Sequence, residues 1–442
     1  MKLEVEVISK EIIKPSSPTP NNLRHYQLSF LDQLSPKVYN PLVLFYPSLN
    51  VNGESNNITE ISIHLKNSLS KVLTLYYPLA GRVRNDEFVE CNDEGIPFFE
   101  ARAKGQLISD VIENPIPQEL INFLPFELDE VSEFALGVQL NVFECGGIAI
   151  GVCLSHQLGD ALSSIVFNKT WVAIARGEAE VAPPIFASAA LFPLRKEPYW
   201  FNPNSNITKK GITTKRFVFS SSTIEALRKK YEKSTCLEEN EKRPSRVEAL
   251  STFIWSRILL ATNDIEDGGV EKCYVIVHPV NIRPKLDPSL PENSFGNLYR
   301  AAITTIPFSS VVNEEKCVNG LVKMLREGIR KVDKEYIEKV KLGEEAHMDF
   351  LKENATNVAM RGGEVITVGF TSLCRFPLYE ADFGWGKPAW VSSASFVYQN
   401  IVAFLDTKMG EGIEAYISLK EDLMAKIEAD KEFLESVSSV EC

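Results

Sequence analysis

Ile148-Ala149-Ile150-Gly151-Val152-Cys153-Leu154-Ser155-His156-Gln157-Leu158-Gly159-Asp160 changes its pattern halfway along. The first half is a nearly continuous apolar run, the signature of a strand buried on both faces. A turn signal, Gly146-Gly147, precedes it, and the run stops at Ser155-His156. From Asp160 the apolar spacing is helical, through Leu162, Ile165 and Val166, and ends near Gly177. A strand, a loop and a helix in that order place His156 on the loop and Asp160 at the helix start. Side chains at such a junction are held by rigid elements and still reach a cleft.

Working upstream, Val138, Leu140 and Val142 alternate with polar neighbours as in a strand. Ile61, Leu65, Leu69, Val72 and Leu73 mark an amphipathic helix over 58–73, halted before Pro78. Met1 to Val7 alternates apolar and acidic residues, which reads as a strand and not as a signal peptide. Downstream, 181–215 carries Pro183-Pro184, Pro193, Pro198 and Pro203 with little periodicity. That stretch reads as a crossover linker between two domains, 1–180 and 216–442. The second opens on a strand at 216–219 and a helix for which Ser222 and Glu225 have capping-box spacing. Ser245 and Glu248 repeat the device before a helix through Trp255. Residues 312–340 read as helical and Glu421 to Leu434 as a terminal helix, followed by a short disordered tail. Strands are expected at 364–371, 389–393, 397–406 and 412–419. At 442 residues the chain is too long for one ordinary core, so two α/β domains of mixed strand and helix are expected.

Net charge is −12, with no long cluster of Lys and Arg, so neither nucleic acid nor an anionic membrane is an expected partner. No apolar run approaches the roughly 20 residues that span a bilayer. Eight cysteines without CxxC spacing read as reduced thiols, and the cytosol is the expected compartment.

The five histidines, His25, His64, His156, His278 and His347, show no metal-ligand spacing, so no metal is expected. His156 stands apart because of its junction. An imidazole that titrates near neutrality can take a proton from an alcohol and return it to a leaving group. Asp160 could orient that ring, but an N-cap or a buried ion pair that fixes the loop is the preferred reading. Asp382-Phe383-Gly384-Trp385-Gly386 looks like a kinase magnesium motif, yet no HRD loop accompanies it. Gly410 to Ala415 fits a dinucleotide fingerprint, but Tyr416-Ile417-Ser418-Leu419 continues as a strand and the reading fails. No GxSxG elbow supports a serine hydrolase.

His156-x-x-x-Asp160 and the Asp382–Gly386 block together resemble the signatures of the BAHD family of plant acyl-CoA-dependent acyltransferases. Leu28 to Asp32, Tyr77 to Arg82, Val280 to Arg283 and Phe295-Gly296-Asn297 are similar to further family blocks. Cys374 to Glu380 is most similar to the branch of alkaloid and alcohol acetyltransferases. The resemblance implies a chloramphenicol-acetyltransferase-like fold: two similar-sized domains of mixed β-sheet flanked by helices, joined by a crossover loop, with a channel between them. It also implies a monomer with acyl-CoA as co-substrate, acetyl-CoA first, and no permanently bound cofactor. His156 would be the general base for direct attack of a hydroxyl on the thioester.

On the same analogy Asp160 pairs with Arg283, and Asp382, Gly384, Trp385 and Gly386 support the site. Ser245, Arg246 and Asn297 would neighbour coenzyme A, although Ser245 already reads as an N-cap and Arg246 as a surface charge. Leu42, Leu44, Leu373 and Arg375 would line the acceptor pocket. Asn40 to Phe45 is apolar where relatives with polar acceptors carry polar residues, which favours a hydrophobic alcohol such as an alkaloid or terpenoid. The competing readings are a malonyl or aromatic acyl donor, an esterase or eliminating enzyme, and a non-catalytic homologue.

Overall fold

The apolar run quoted above is the inner strand of a six-stranded sheet. This is seen in a computed structural model that describes residues 3–47, 50–51, 54–55, 57–195, 204–205, 207–234, 242–262, 272–307, 314–342 and 364–438. The sheet order is Glu4–Ile13, Ile96–Lys104, Leu136–Phe143, Ile148–Ser155, Tyr39–Tyr46 and Trp390–Ser392. Every residue from Ile148 to Ser155 is buried, as a strand with neighbours on both sides requires. Ile96–Lys104 and Leu136–Phe143 run parallel and the other pairs antiparallel. The polar neighbours in Leu136–Phe143 are buried too, because Gln139 donates to the Asn122 carbonyl and Asn141 to those of Phe123 and Ala149. The helices Ile58–Leu75 and Ala161–Ala175 pack against one another in this unit.

A second six-stranded sheet has the order Ile212–Phe219, Ile413–Lys420, Ile401–Asp406, Glu364–Ser372, Lys272–Asn281 and Tyr299–Pro307. Its two parallel pairs flank Glu364–Ser372. Phe217, Ile276, Phe370, Phe404 and Ile417 share one core with Ile254 and Trp255 of the helix Arg246–Thr262. The chain is thus α/β with two mixed, helix-flanked sheets.

The units are not contiguous in sequence. The first comprises Met1–Ile207, Pro288–Leu298 and Phe376–Val397, and the second Thr208–Asp287, Tyr299–Arg375 and Tyr398–Cys442. The 382–386 block, read from sequence as part of the later domain, therefore sits in the first unit. Within the expected crossover, Ile185 bridges Ser294, Ser188–Leu191 is helical, and Ile212 already begins a strand. Pro198 and Pro203 lie outside the described residues, as do His347 and the chain beyond Ser438.

Local physics explains several shifted boundaries. The helix cap near 220 is Ser220, whose Oγ accepts the Thr223 amide at 3.1 Å, so Ser222 lies inside the helix Ser221–Ser234. Ser245 and Glu248 do form a reciprocal capping box. The segment 312–340 is two helices, Glu314–Arg330 and Lys334–Leu342, with Asp333 accepting the Tyr336 amide. Asp430 likewise breaks the terminal helix by capping Lys431–Ser436, which runs past Leu434. Among the described residues no helix is long and apolar enough to cross a membrane.

Candidate active site

His156 leaves the Ile148–Ser155 strand on a loop whose peptide groups are individually held. Its N–H donates to the Val38 carbonyl at 2.8 Å, and its carbonyl accepts from Asn297 Nδ2 at 2.9 Å. The next carbonyl, of Gln157, accepts from the same nitrogen at 3.1 Å. Leu158 N–H returns to Ser155, and the Gly159 carbonyl accepts from Asn40 Nδ2 at 3.3 Å. Such a loop presents its side chain from a fixed base.

The His156 side chain is half-buried. Burial holds the imidazole below its ordinary 6.5, while its own main chain, the Asp160 carboxylate and the Asn297 side chain pull the other way. At neutral pH the ring is therefore uncharged, the form that accepts a proton.

Asp160 is 6 % exposed and caps the helix Ala161–Ala175. One carboxylate oxygen accepts the Ser163 amide at 2.8 Å and the other the Leu298 amide at 3.1 Å. Two charge-assisted bonds to main chain define a brace, the structural one of the two readings. Ser163 adds to it by exchanging hydrogen bonds with both main-chain groups of Gly296.

The Asp382 block lies at the other end of the same sheet. Asp382 Oδ1 accepts the amides of Gly384 and Gly386, both at 2.8 Å. These glycines have φ of 116° and 106°, so the turn needs residues without a Cβ. Phe383 sets its ring edge-on to Trp171 at 4.9 Å, and its carbonyl contacts the His64 ring nitrogen at 3.1 Å. Such aromatic pairs add about 0.5–1.5 kcal/mol beyond area burial. Tyr46 Oη donates to the Ala381 carbonyl at 2.6 Å, and Tyr46 is the strand partner of Ile148, whereas Ser155 pairs with Tyr39. Seven strand steps at roughly 3.3 Å put the block about 23 Å from the His156 end. The block closes a turn against the sheet and the Ile58–Leu75 and Ala161–Ala175 helices, and does not touch His156.

The remaining candidates are dispersed. Leu42 is half-buried, whereas Leu44 is 1 % exposed between Ile150 and Val391. Asn297 is 0 % exposed, and its amide nitrogen is committed to Asp32 and two carbonyls. Its side chain serves the hydrogen bonding of the His156 loop. In the second unit, Ser245 is occupied by its capping box, and Arg246 reaches Asp406 at 2.8 Å and the Gly410 carbonyl at 2.7 Å. Arg375 is exposed at φ 69°, with its amide on Asp406, and the half-buried Leu373 donates its amide to Phe404. Arg283 is buried, with its amide and guanidinium on Asn281 Oδ1. Among the described residues no cluster suits a metal ion. Asp32 carries no chemical motif of its own in the sequence; its signal is the Ser29-x-x-Asp32 spacing, which forms a capping box.

Comparison with known proteins fits this arrangement. A family model described as the transferase family matches residues 3–434. The chain is 36 % identical over 434 residues to limonoid 21-O-acetyltransferase of Melia azedarach, covering 97 % of each. It is 36 % identical over 437 residues to vinorine synthase of Rauvolfia serpentina, again covering 97 % of each. The crystal structure of vinorine synthase superposes with a TM-score of 0.81 at 32 % identity, over 99 % of both chains. TRI101 of F. graminearum, complexed with coenzyme A and T-2 mycotoxin, superposes at 0.72 with 17 % identity over 94 % of this chain and 99 % of its own, a likeness of fold alone. The chain belongs to that transferase family, the BAHD acyl-CoA-dependent O-acyltransferases.

Proposed function

We propose that the protein moves an acetyl group from acetyl-CoA to a hydroxyl of a hydrophobic plant metabolite, an alkaloid or terpenoid alcohol. The carrying observation is His156: an imidazole kept neutral by burial, on a loop pinned at nearly every peptide. In a ternary complex the ring takes the hydroxyl proton as the oxygen bonds the thioester carbonyl carbon. The carbon–sulfur bond then breaks, and the imidazolium returns the proton to the departing thiolate. No acyl-enzyme forms, and acyl-CoA is consumed as substrate, without a resident cofactor. The named activities of the relatives, acetylation of a limonoid hydroxyl among them, support the acetyl donor and the bulky acceptor. The partly exposed Leu42 of the Tyr39–Tyr46 strand supports a hydrophobic acceptor, because an unpaired hydroxyl buried against it is penalised. A cytosolic monomer is part of the same reading.

The test is release of coenzyme A thiol from acetyl-, malonyl- and benzoyl-CoA against a panel of alkaloid and terpenoid alcohols. Alcohol-dependent release that is fastest with acetyl-CoA is expected. Malonyl or benzoyl preference overturns the donor, thiol release without alcohol makes the protein a hydrolase, and silence with every donor overturns transfer.

A further inference from the structure

We propose that Asp32 and Asn297 are positioning residues that set the His156 imidazole through its main chain; the proposal rests on His156 being the base. Asn297 Nδ2 carries two hydrogens and faces three acceptors: Asp32 Oδ1 at 2.9 Å, His156 O at 2.9 Å and Gln157 O at 3.1 Å. One hydrogen goes to the carboxylate and the other spans two successive carbonyls of the loop. Asp32 is 1 % exposed and also accepts the Ser29 amide and hydroxyl, both at 2.7 Å, and the Asn297 amide at 3.3 Å.

A buried carboxylate only accepts hydrogen bonds, so it cannot hold the two loop carbonyls itself. It can dictate which end of a neighbouring amide faces it. With Nδ2 toward Asp32 the contact is a charge-assisted bond; with Oδ1 there it is a repulsion between two acceptors in a low dielectric. Asp32 thereby selects the Asn297 orientation that donates to His156 and Gln157. The Asn297 main chain is held on either side, the Leu298 amide by Asp160 and the Gly296 carbonyl and amide by Ser163, and its side chain is fully buried. The Asn297 side chain is also among the groups that favour the charged imidazole. The capping box at Ser29 fixes Asp32 in turn, so the order of constraint runs from Ser29 through Asp32 and Asn297 to the base.

The experiment compares wild type with N297A, D32N and the exchanged pair D32N/N297D. It reads kcat, KM for acyl-CoA, thermal melting and the NMR titration of the His156 ring, assigned by its absence in H156A. For N297A, kcat is expected to fall about 100-fold, as for a base displaced by an ångström. KM for acyl-CoA should stay within about twofold of wild type, because binding is not what is lost. The His156 titration should move further down, since one group favouring its charged form is gone.

The exchanged pair rebuilds a hydrogen bond between 32 and 297 with the roles reversed, but an aspartate cannot donate to the loop carbonyls. It should remain as slow as N297A; if N297A is not recovered folded, D32N carries the test, because it keeps an acceptor opposite Nδ2 but no longer dictates the Asn297 orientation, and its kcat should fall between those of wild type and a fully displaced base. Wild-type kcat in N297A, full activity in the exchanged pair, an unmoved His156 titration, or activity lost only in step with folded protein overturns the proposal. If wild type transfers no acyl group, the catalytic reading fails separately, and the titration still decides whether Asn297 sets the ring.

Discussion

Replacing His156 with alanine is expected to lower kcat by about 10³- to 10⁴-fold, the upper range for a positioned general base. The loop survives the change, because its holding bonds use the His156 amide and carbonyl and leave the ring out. Asp160 still caps the Ala161–Ala175 helix and grips the Leu298 amide. The melting temperature should therefore fall little, and KM for acyl-CoA should stay near wild type, the signature of an interaction used in the transition state. Thiol-release kinetics beside a thermal melt separate the outcomes. A folded variant at wild-type kcat removes His156 from the mechanism.

The largest stability effect is expected at Gly151, within the same buried strand. A Cβ built there stands 2.0 Å from the Phe123 carbonyl oxygen and 2.9 Å from its carbon. Both are main chain, and that oxygen also accepts from Asn141 Nδ2 at 2.9 Å, so it cannot rotate out of the way. The short 3-10 turn Leu120–Phe123 would have to lift off the sheet. Gly151→Ala should cost roughly 4 kcal/mol or more, beyond ordinary overpacking. Denaturant unfolding of the purified variant measures it. A loss below about 1 kcal/mol, within the range of ordinary substitutions, would show that the turn can retreat freely.

What the sequence made legible was what local physics determines. An apolar run with polar ends gave the buried strand, and three- and four-residue spacing gave the helices Ile58–Leu75 and Ala161–Ala175. The Ser245–Glu248 box was readable for the same reason, since both partners lie within one turn. Near 220 three successive serines compete for one cap, and the choice of Ser220 depends on where the preceding strand ends. Strand Lys272–Asn281 is hidden in the sequence, because Pro279 interrupts its apolar run; Pro279 pairs opposite Ala301 regardless.

The site was legible only at its centre. His156 and Asp160 are neighbours in sequence, and their junction announces them. The partners of that loop come from residues 32 and 297, and no periodicity encodes a hydrogen bond across 265 positions. For the same reason the segments Pro288–Leu298 and Phe376–Val397 could not be assigned to the first unit from pattern alone. The 382–386 block was conspicuous because two glycines and two aromatics are rare together. That conspicuousness reflects a turn needing positive φ and a packed aromatic cluster, at the opposite end of the sheet from His156.

The central claim is that a neutral His156 imidazole accepts the proton of the attacking hydroxyl. The pH dependence of kcat/KM tests it most directly. Burial lowers the ring's pKa, so the base becomes competent as pH rises through a value below 6.5. Log kcat/KM should climb with a slope of about one through that value and then level off across neutrality, and the residual rate of His156→Ala should lack the limb. An acid limb centred above 6.5, or a limb that persists unchanged in the alanine variant, would contradict the account.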